Sequence, residues 1–195
     1  PLLHSAFFRF TPVADPAGTA VQLRGLGAAL ASLGGSIVLA PEGINGVVAG
    51  TVADVAAFEA ALQHTDVLSG ALRGMAWRHS GCSTAPFGRL KISVKPETVA
   101  LGLPPGAVPL PPPDAHDASH LDPLAWRALL AQGNAVVLDN RNHFEFRLGR
   151  FRGALDPQVH NFRDFAAFVQ AQAPAWRAAG RPVAMYCTGG IRCEK

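Results

Sequence analysis

Short apolar runs separated by glycine, proline and polar residues recur along the first hundred residues. Alternating or continuous apolar runs of four to eight residues are typical of strands, whereas apolar residues three and four apart are typical of helices. The elements predicted in chain order are strand 6–10, helix 17–33, strand 36–40, strand 47–50, helix 52–64, strand 75–78 and strand 89–95. The order β-α-β-β-α-β predicts a ferredoxin-like or acylphosphatase-like sandwich, with two helices on one face of an antiparallel sheet.

Two local signals set the boundaries of these elements. Asp15 followed by Pro16 is typical of a helix start, and Thr51 is a suitable N-cap for the second helix. The stretch Pro41 to Gly46 contains two glycines and an Asn-Gly pair, so it predicts the turn of a β-hairpin.

Proline becomes dense after residue 103. Six prolines fall between positions 104 and 113, a density that excludes helix and sheet interior and predicts a stiff, extended linker. We therefore expect a first domain at 1–103, a linker at 104–121 and a second domain at 122–195. His116 and His120 are four residues apart, but without a helix to align them we predict no metal site.

The second domain alternates helices and strands. The predicted elements are helix 122–131, strand 135–139, helix 162–178 and strand 182–186. This alternation predicts a parallel α/β sheet, whose functional site is expected at the carboxyl ends of the strands.

Cys187 follows directly after the last predicted strand. The residues from this cysteine onward form a glycine-rich loop with an arginine: Cys187, Thr188, Gly189, Gly190, Ile191 and Arg192. A loop of this kind lets successive backbone N–H groups converge on one anion. The nearest anion is the thiolate of Cys187, and the charge of Arg192 adds to its stabilisation. The loop therefore predicts an activated, nucleophilic cysteine.

The composition limits the class of protein and the compartment that the chain fits. The chain has 195 residues, 49% of them hydrophobic, with a formal net charge of +3. A mildly basic chain is compatible with a nucleic-acid partner without requiring one. Three cysteines suit neither a disulfide framework nor a zinc cluster. No apolar run is long enough to span a membrane. We expect a cytoplasmic, soluble protein with no membrane partner.

Several motifs resemble known families. Asp139-Asn140-Arg141, Glu145 and the stretch 149–154, taken with the cysteine loop, resemble a rhodanese domain. The nine residues from Cys187 to Lys195, with 40–46 and 86–91, more narrowly resemble the two-part family of oxygen-dependent tRNA uridine hydroxylases. Members of that family form 5-hydroxyuridine at the wobble position of tRNA.

The resemblance implies a function and its requirements. It implies a tRNA-modifying oxidoreductase of the monooxygenase type, with Cys187 as the catalytic residue and tRNA as substrate and partner. Molecular oxygen and an electron donor would be co-substrates, and the first domain would help to hold tRNA. Family members continue beyond the position of Lys195 with a helix and a strand, so the rhodanese-like part is expected to be incomplete. The sequence contains no dinucleotide fingerprint and no iron-ligand triad, and the cofactor is unknown.

Several residue roles remain open at this stage. Cys193 is either a resolving thiol or a residue on the inner face of the next helix. Asp139 and Arg141 are expected to support the loop. Glu145 is expected to cap or pair nearby, and Cys82 is read as an incidental loop thiol. Arg89, Lys91 and Lys95 share one strand face and form either an RNA contact or a solvated surface. The functional alternatives are a sulfurtransferase that carries a persulfide on Cys187 and a non-catalytic tRNA-binding module.

Overall fold

The computed structural model describes residues 1–64, 67–104, 107 and 120–195. Two compact units make up the chain, Pro1–Thr98 and Val99–Lys195. Most of the predicted linker, together with His116, lies outside the described residues.

The first unit contains one five-stranded sheet and two helices. Its elements are β1 (Leu2–Phe10), α1 (Pro16–Ala28), β2 (Gly34–Ala40), β3 (Gly43–Thr51), α2 (Val52–His64), a 3₁₀ turn (Val67–Gly70), β4 (Arg78–Cys82) and β5 (Leu90–Val94). The strand order is β4-β1-β3-β2-β5. All neighbouring pairs are antiparallel except β2 and β5, which are parallel. The predicted sandwich is confirmed, with β5 as a fifth strand on one edge.

Both helices of the first unit bury their apolar residues against the same face of the sheet. Val55, Phe58 and Leu62 of α2 are fully buried, and their spacing of three and four residues places them on one helical face. The α1 helix approaches β5 at Gly27, where a Cβ atom would lie 2.3 Å from Leu90 Cδ2. The buried residues of both helices and of the central strands form one core.

Two boundaries differ from the sequence prediction. The hairpin turn consists of Pro41 and Glu42 alone, because Ala40 already pairs with Gly43. Asn45 and Gly46 lie inside β3, where a Cβ on Gly46 would meet the Phe7 ring at 2.6 Å. This glycine is therefore required by packing and not by a turn. The fourth strand starts at Arg78 rather than Met75, whose side chain is buried in the core.

Glu42 fixes the end of the first unit. Its Oε1 atom accepts hydrogen bonds from the backbone N and the Oγ1 of Thr98, both at 2.8 Å. Asn45 Nδ2 donates to the carbonyl of the same threonine at 3.2 Å. Thr98 is buried, so these bonds satisfy polar groups that water does not reach.

We expect Glu42→Ala to destabilise the first unit by about 1–3 kcal/mol, because it leaves the buried Thr98 donors without their acceptor. Chemical denaturation monitored by tryptophan fluorescence measures the change. Gln22→Ala, at an exposed position of α1, is the control and should stay within about 0.5 kcal/mol of the parent. Equal stability of the two variants would contradict this role of Glu42.

The second unit is a small parallel α/β structure. Its elements are α3 (Pro123–Gln132), β6 (Val136–Asp139), α4 (His143–Leu148), α5 (Arg163–Ala178), β7 (Val183–Tyr186) and α6 (Ile191–Glu194). Strands β6 and β7 pair in parallel, and Leu138 forms an additional parallel bridge with Leu155. The predicted parallel arrangement is confirmed, and α4 is an element that the sequence analysis did not predict.

The core of the second unit forms around β6 and α5. Leu138, Phe162 and Phe165 are buried together, and Phe168 and Val169 pack against them. Leu101 belongs to the same cluster. The residues following Thr98 thus pack with the second unit, whereas the sequence analysis assigned them to the first. Among the helices of the described ranges, none is both long and apolar enough to cross a lipid bilayer.

Candidate active site

Cys187 lies at the carboxyl end of β7, the position expected for a site in a parallel sheet. The neighbouring strand β6 ends at the same edge, and Asn140 N donates to Tyr186 O at 2.9 Å. The chain then turns through Gly190, whose φ of 87° is a conformation that residues with a Cβ rarely adopt. Helix α6 begins at the next residue. The strand therefore delivers the cysteine into a tight loop whose backbone N–H groups point inward.

The loop concentrates hydrogen-bond donors on the Cys187 sulfur. Gly190 N lies 3.1 Å from Cys187 Sγ. The thiol of Cys193 contributes the largest effect that lowers the Cys187 pKa, followed by the backbone N–H groups of Cys193, Arg192 and Gly190. Burial opposes the charge, yet these donors bring the pKa of Cys187 to about 5. The cysteine is therefore a thiolate at neutral pH.

Cys193 is held as the neutral partner of this thiolate. Its pKa is raised, because its thiol proton hydrogen-bonds the sulfur of Cys187 and because the side chain is buried. From the other side, Asn140 Nδ2 lies 3.6 Å from Cys193 Sγ and 3.6 Å from Met185 Sδ. Asn140 is only 1% exposed. A buried amide thus orients the thiol that contacts Cys187.

Glu145 of α4 holds the other half of the loop. Its carboxylate accepts two hydrogen bonds from Arg192, at 2.9 and 3.1 Å, and one from Thr188 Oγ1 at 2.6 Å. Burial raises the pKa of Glu145, but the bonds from Arg192, Thr188 and Asn142 N outweigh it and bring the pKa to about 2. Arg192 also interacts favourably with the Cys187 thiolate. From the sequence, Glu145 is predicted only to cap or pair nearby, since nothing in the sequence shows that α4 faces the loop.

Asp139 and Arg141 form a second, separate cluster. Asp139 is fully buried at the end of β6, where it accepts hydrogen bonds from Arg141 Nε at 2.9 Å, Arg141 Nη2 at 2.7 Å and Tyr186 Oη at 2.6 Å. Burial acts to raise the pKa of Asp139, and these donors more than offset it, so that its pKa is lowered. The Tyr186 pKa rises to about 12 because of burial and the adjacent carboxylate. The cluster fixes Tyr186, the residue before Cys187, whereas the loop beyond it is held by Glu145.

The predicted RNA-contact residues lie on and beside the edge strand β5. Strand register places Lys91 in one row with Ser36, Val47, Ala6 and Arg78. Ser5 points to the helices, since it donates to Glu59 of α2, so the row that contains its neighbour Ala6 lies on the opposite face. Lys91 and Arg78 lie at the two ends of this row, separated by four strand spacings or about 19 Å. Arg89 and Lys95 flank the strand and are exposed. Cys82 ends β4 opposite Leu2 and lies in a strand rather than a loop.

No site for a metal ion is formed by three or more His, Cys, Asp or Glu side chains within the part of the chain that the structure describes. His120 hydrogen-bonds Glu194 at 2.6 Å. His116, the other histidine of the pair considered in the sequence, lies outside the described residues.

The first unit coincides with a family model. Residues 3–98 match the UPF0176 acylphosphatase like domain. One solved structure, full-length HypF in its phosphate- and nucleotide-bound form, aligns at 13% identity with a TM-score of 0.35 over 47% of this chain and 12% of that chain.

Curated relatives match nearly the whole chain. A tRNA uridine(34) hydroxylase of Jannaschia sp. is 42% identical over 98% of this chain and 59% of its own length. The proteins of that name from Deinococcus radiodurans and Nitrobacter winogradskyi are 39% and 41% identical, over 100% and 98% of this chain and 60% and 72% of their own lengths. The chain thus spans about three fifths of the first two relatives.

The fold and the site together define a class. An acylphosphatase-like sandwich is followed by a parallel α/β unit that carries a cysteine loop at the end of a strand. Within that class, the identity to its relatives shows that the chain belongs to the tRNA uridine(34) hydroxylase family.

Proposed function

We propose that this chain carries the catalytic cysteine and part of the tRNA-binding surface of an oxidoreductase that hydroxylates the wobble uridine of tRNA to 5-hydroxyuridine. The overall reaction replaces the C5–H bond of uracil by C5–OH. It consumes one dioxygen molecule, two electrons from a donor and two protons, and it releases one water. The observation that carries the proposal is the loop around Cys187, in which Gly190 N lies 3.1 Å from Sγ and converging donors lower the pKa of the thiol. The names of relatives about 40% identical supply the substrate.

A thiolate offers a specific route to the C5 position. In the proposed mechanism, Cys187 Sγ adds to C6 of the uracil, and the electron pair of the C5=C6 bond moves onto C5 and the O4 carbonyl. The electron-rich C5 takes one oxygen atom from dioxygen, whose other atom leaves as water with the two donor electrons. Loss of the C5 proton and expulsion of the thiolate restore the double bond. The loop donors suit this cycle because they stabilise the thiolate both before addition and when it leaves.

Arg192 and Cys193 have distinct roles in this proposal. Arg192, held by Glu145, supplies positive charge beside the reacting sulfur. The Cys193 thiol donates a hydrogen bond to the resting Cys187 thiolate. Should dioxygen oxidise Cys187 to a sulfenic acid, with its second oxygen atom reduced to water by the two donor electrons and two protons, Cys193 is the adjacent thiol that would attack the sulfenic acid, forming a disulfide and releasing a further water. Asp139 and Arg141 act indirectly, because they hold Tyr186 in place at the end of β7.

The first unit would bind part of the tRNA. Arg78 and Lys91 lie in one row on the sheet face opposite the helices, with Arg89 and Lys95 beside them. Cations spread over one face suit the phosphates of a nucleic-acid strand. As for tRNA modification in general, we propose that the enzyme acts in the cytoplasm.

Nucleoside mass spectrometry of cellular tRNA tests the proposal. The gene is deleted and then complemented with the full-length parent or with Cys187→Ala. We expect 5-hydroxyuridine and its derivatives to disappear on deletion and to return only with the parent. Full recovery with Cys187→Ala would refute the catalytic role of the cysteine.

The same loop supports one other function. Backbone N–H groups aimed at a sulfur also suit the terminal sulfur of a persulfide, so a sulfurtransferase acting through Cys187 is the alternative. The mass spectra distinguish the two, because sulfur transfer predicts the loss of a thiolated nucleoside with 5-hydroxyuridine unchanged. A non-catalytic tRNA-binding module predicts that Cys187→Ala complements as well as the parent.

A further inference from the structure

An open cavity of about 450 Å³ lies beside α4 in the second unit. Its lining combines aromatic and apolar groups with nitrogen donors: Asn142, His143, Phe144, Arg147, Leu148 and His160. The proposed chemistry at Cys187 makes no use of it. We propose that this cavity binds one nucleotide of single-stranded RNA, the neighbour of the uridine that reacts at Cys187. The inference rests on the proposed function and adds a second contact point for the same substrate.

The apolar part of the cavity is unusually exposed. Phe144 is 61% exposed and Leu148 is 83% exposed. These residues are four apart on α4, so they share one face of the helix. A flat aromatic ring beside a flexible apolar side chain is a stacking platform for a nucleobase, a contact worth on the order of 10-fold or more in affinity.

The charge near Phe144 and Leu148 suits the phosphate backbone of a nucleic acid. Arg147 lies on the same face as Phe144 and Leu148, and no ion pair joins it to any residue that the structure describes. Arg150 and Arg152 lie three and five residues further along the chain, outside the cavity lining, and are exposed, with Arg150 Cζ 4.7 Å above the Phe146 ring. The two acidic side chains nearest in sequence are already committed, Glu145 to Arg192 and Asp156 to His143. Uncompensated arginines interleaved with aromatic rings favour single-stranded nucleic acid over an acidic peptide, which would not use the rings.

His143 adds a fixed polar contact. Its Nδ1 atom lies 2.8 Å from Asp156 Oδ2, and its backbone N donates to Val159 O at 2.9 Å. The backbone bond fixes the residue and the Asp156 carboxylate fixes one side of the imidazole, while Nε2 has no hydrogen-bond partner among the described residues. A ring fixed in this way is preorganised for a hydrogen bond to a base or ribose.

The position of the cavity explains why it would bind the nucleotide next to the reacting uridine and not the uridine itself. Glu145 lies between Phe144 and Arg147 in sequence but points to the cysteine loop. One six-residue helix thus presents the loop support on one side and the cavity on another. Opposite faces of a helix lie roughly 10 Å apart, which sets the scale of the separation between the two sites. That distance places an adjacent nucleotide in the cavity while the uracil is at Cys187.

Binding measurements on the full-length protein test the proposal. The probe is an anticodon stem-loop RNA with uridine at the wobble position, titrated at several salt concentrations. We expect Phe144→Ala and Arg147→Ala each to weaken binding about 10-fold. Arg147→Ala should also reduce the slope of log K against log salt by about 0.7, the value for one phosphate contact on a single strand. Leu124→Ala and Arg177→Ala, at exposed positions of α3 and α5, are the matched controls and should bind as the parent does.

Three outcomes separate the proposals. A selective loss in the cavity variants, with unchanged pH dependence of Cys187 alkylation, supports the nucleotide site. If the parent binds and hydroxylates the RNA while the cavity variants bind as tightly as the controls, the cavity proposal is overturned and the proposed function stands. If the parent binds no RNA at all, both are overturned.

Discussion

Replacement of Glu145 by alanine is expected to cost about 3–5 kcal/mol of folding free energy and most of the reactivity of Cys187. The Arg192 and Glu145 side chains are only 14% and 17% exposed. Removing the carboxylate leaves a largely buried guanidinium without its partner, which is the costly way to break such a pair. It also removes the acceptor of the Thr188 hydroxyl, so two residues of the loop lose their bonds to α4 at once. Thermal or chemical denaturation measures the first effect, and the rate of Cys187 alkylation at neutral pH measures the second.

A double-mutant cycle separates charge from packing. Arg192→Met combined with Glu145→Ala removes both charges, and we expect it to be more stable than Glu145→Ala alone. A double variant at least as unstable as the sum of the singles would show that the pair is not coupled.

The acid dependence of stability provides an independent check on Glu145. Its folded-state pKa of about 2 is below the ordinary value of 4.5. The carboxylate therefore contributes its full stabilisation above about pH 4.5 and loses it as the pH falls to about 2. The shift corresponds to roughly 3 kcal/mol. In Glu145→Gln this part of the acid dependence should be missing, and an unchanged acid transition would contradict the assignment.

The sequence was sufficient to predict those features that depend on local patterns. The sandwich, the parallel α/β unit and the presence of a helix after the glycine-rich loop follow from apolar periodicity, caps and glycines. Helix α2, predicted from Val52 to about His64, is observed at Val52–His64, because Thr51 and the spacing of its apolar residues define it without reference to other elements.

Features that depend on distant contacts were not predictable in this way. Gly46 reads as a turn residue, although it is required by the Phe7 ring on another strand. Helix α4 is only six residues long, too short for a periodic signal to emerge. Its Glu145 carboxylate meets Arg192 across 47 positions of sequence, a pairing that only the folded chain produces. The same is true of Asn140, whose contact with Cys193 spans 53 positions.

Cys193→Ala is expected to raise the pKa of Cys187 from about 5 to about 6 or above, and so to slow its alkylation about 5-fold at pH 5 and about 10-fold well below pH 5. The Cys193 thiol is the largest of the effects that lower this pKa, whereas the backbone N–H groups remain in the variant. Rates of iodoacetamide labelling from pH 4 to 9, followed by mass spectrometry of the peptide that contains Cys187, give the midpoint directly. Peptide-level detection keeps labelling at Cys82 and Cys193 apart from the signal.

Cys193→Ser is the matched control, because a hydroxyl is also a donor and occupies nearly the same volume. We expect the serine variant to keep a midpoint close to that of the parent, while the alanine variant titrates at higher pH. Equal midpoints in all three proteins would show that backbone donors and Arg192 suffice to stabilise the thiolate. The comparison also separates the two proposed roles of Cys193. A serine supports the resting thiolate but cannot form a disulfide, so a serine variant with a normal midpoint and impaired turnover would assign Cys193 to the resolving step.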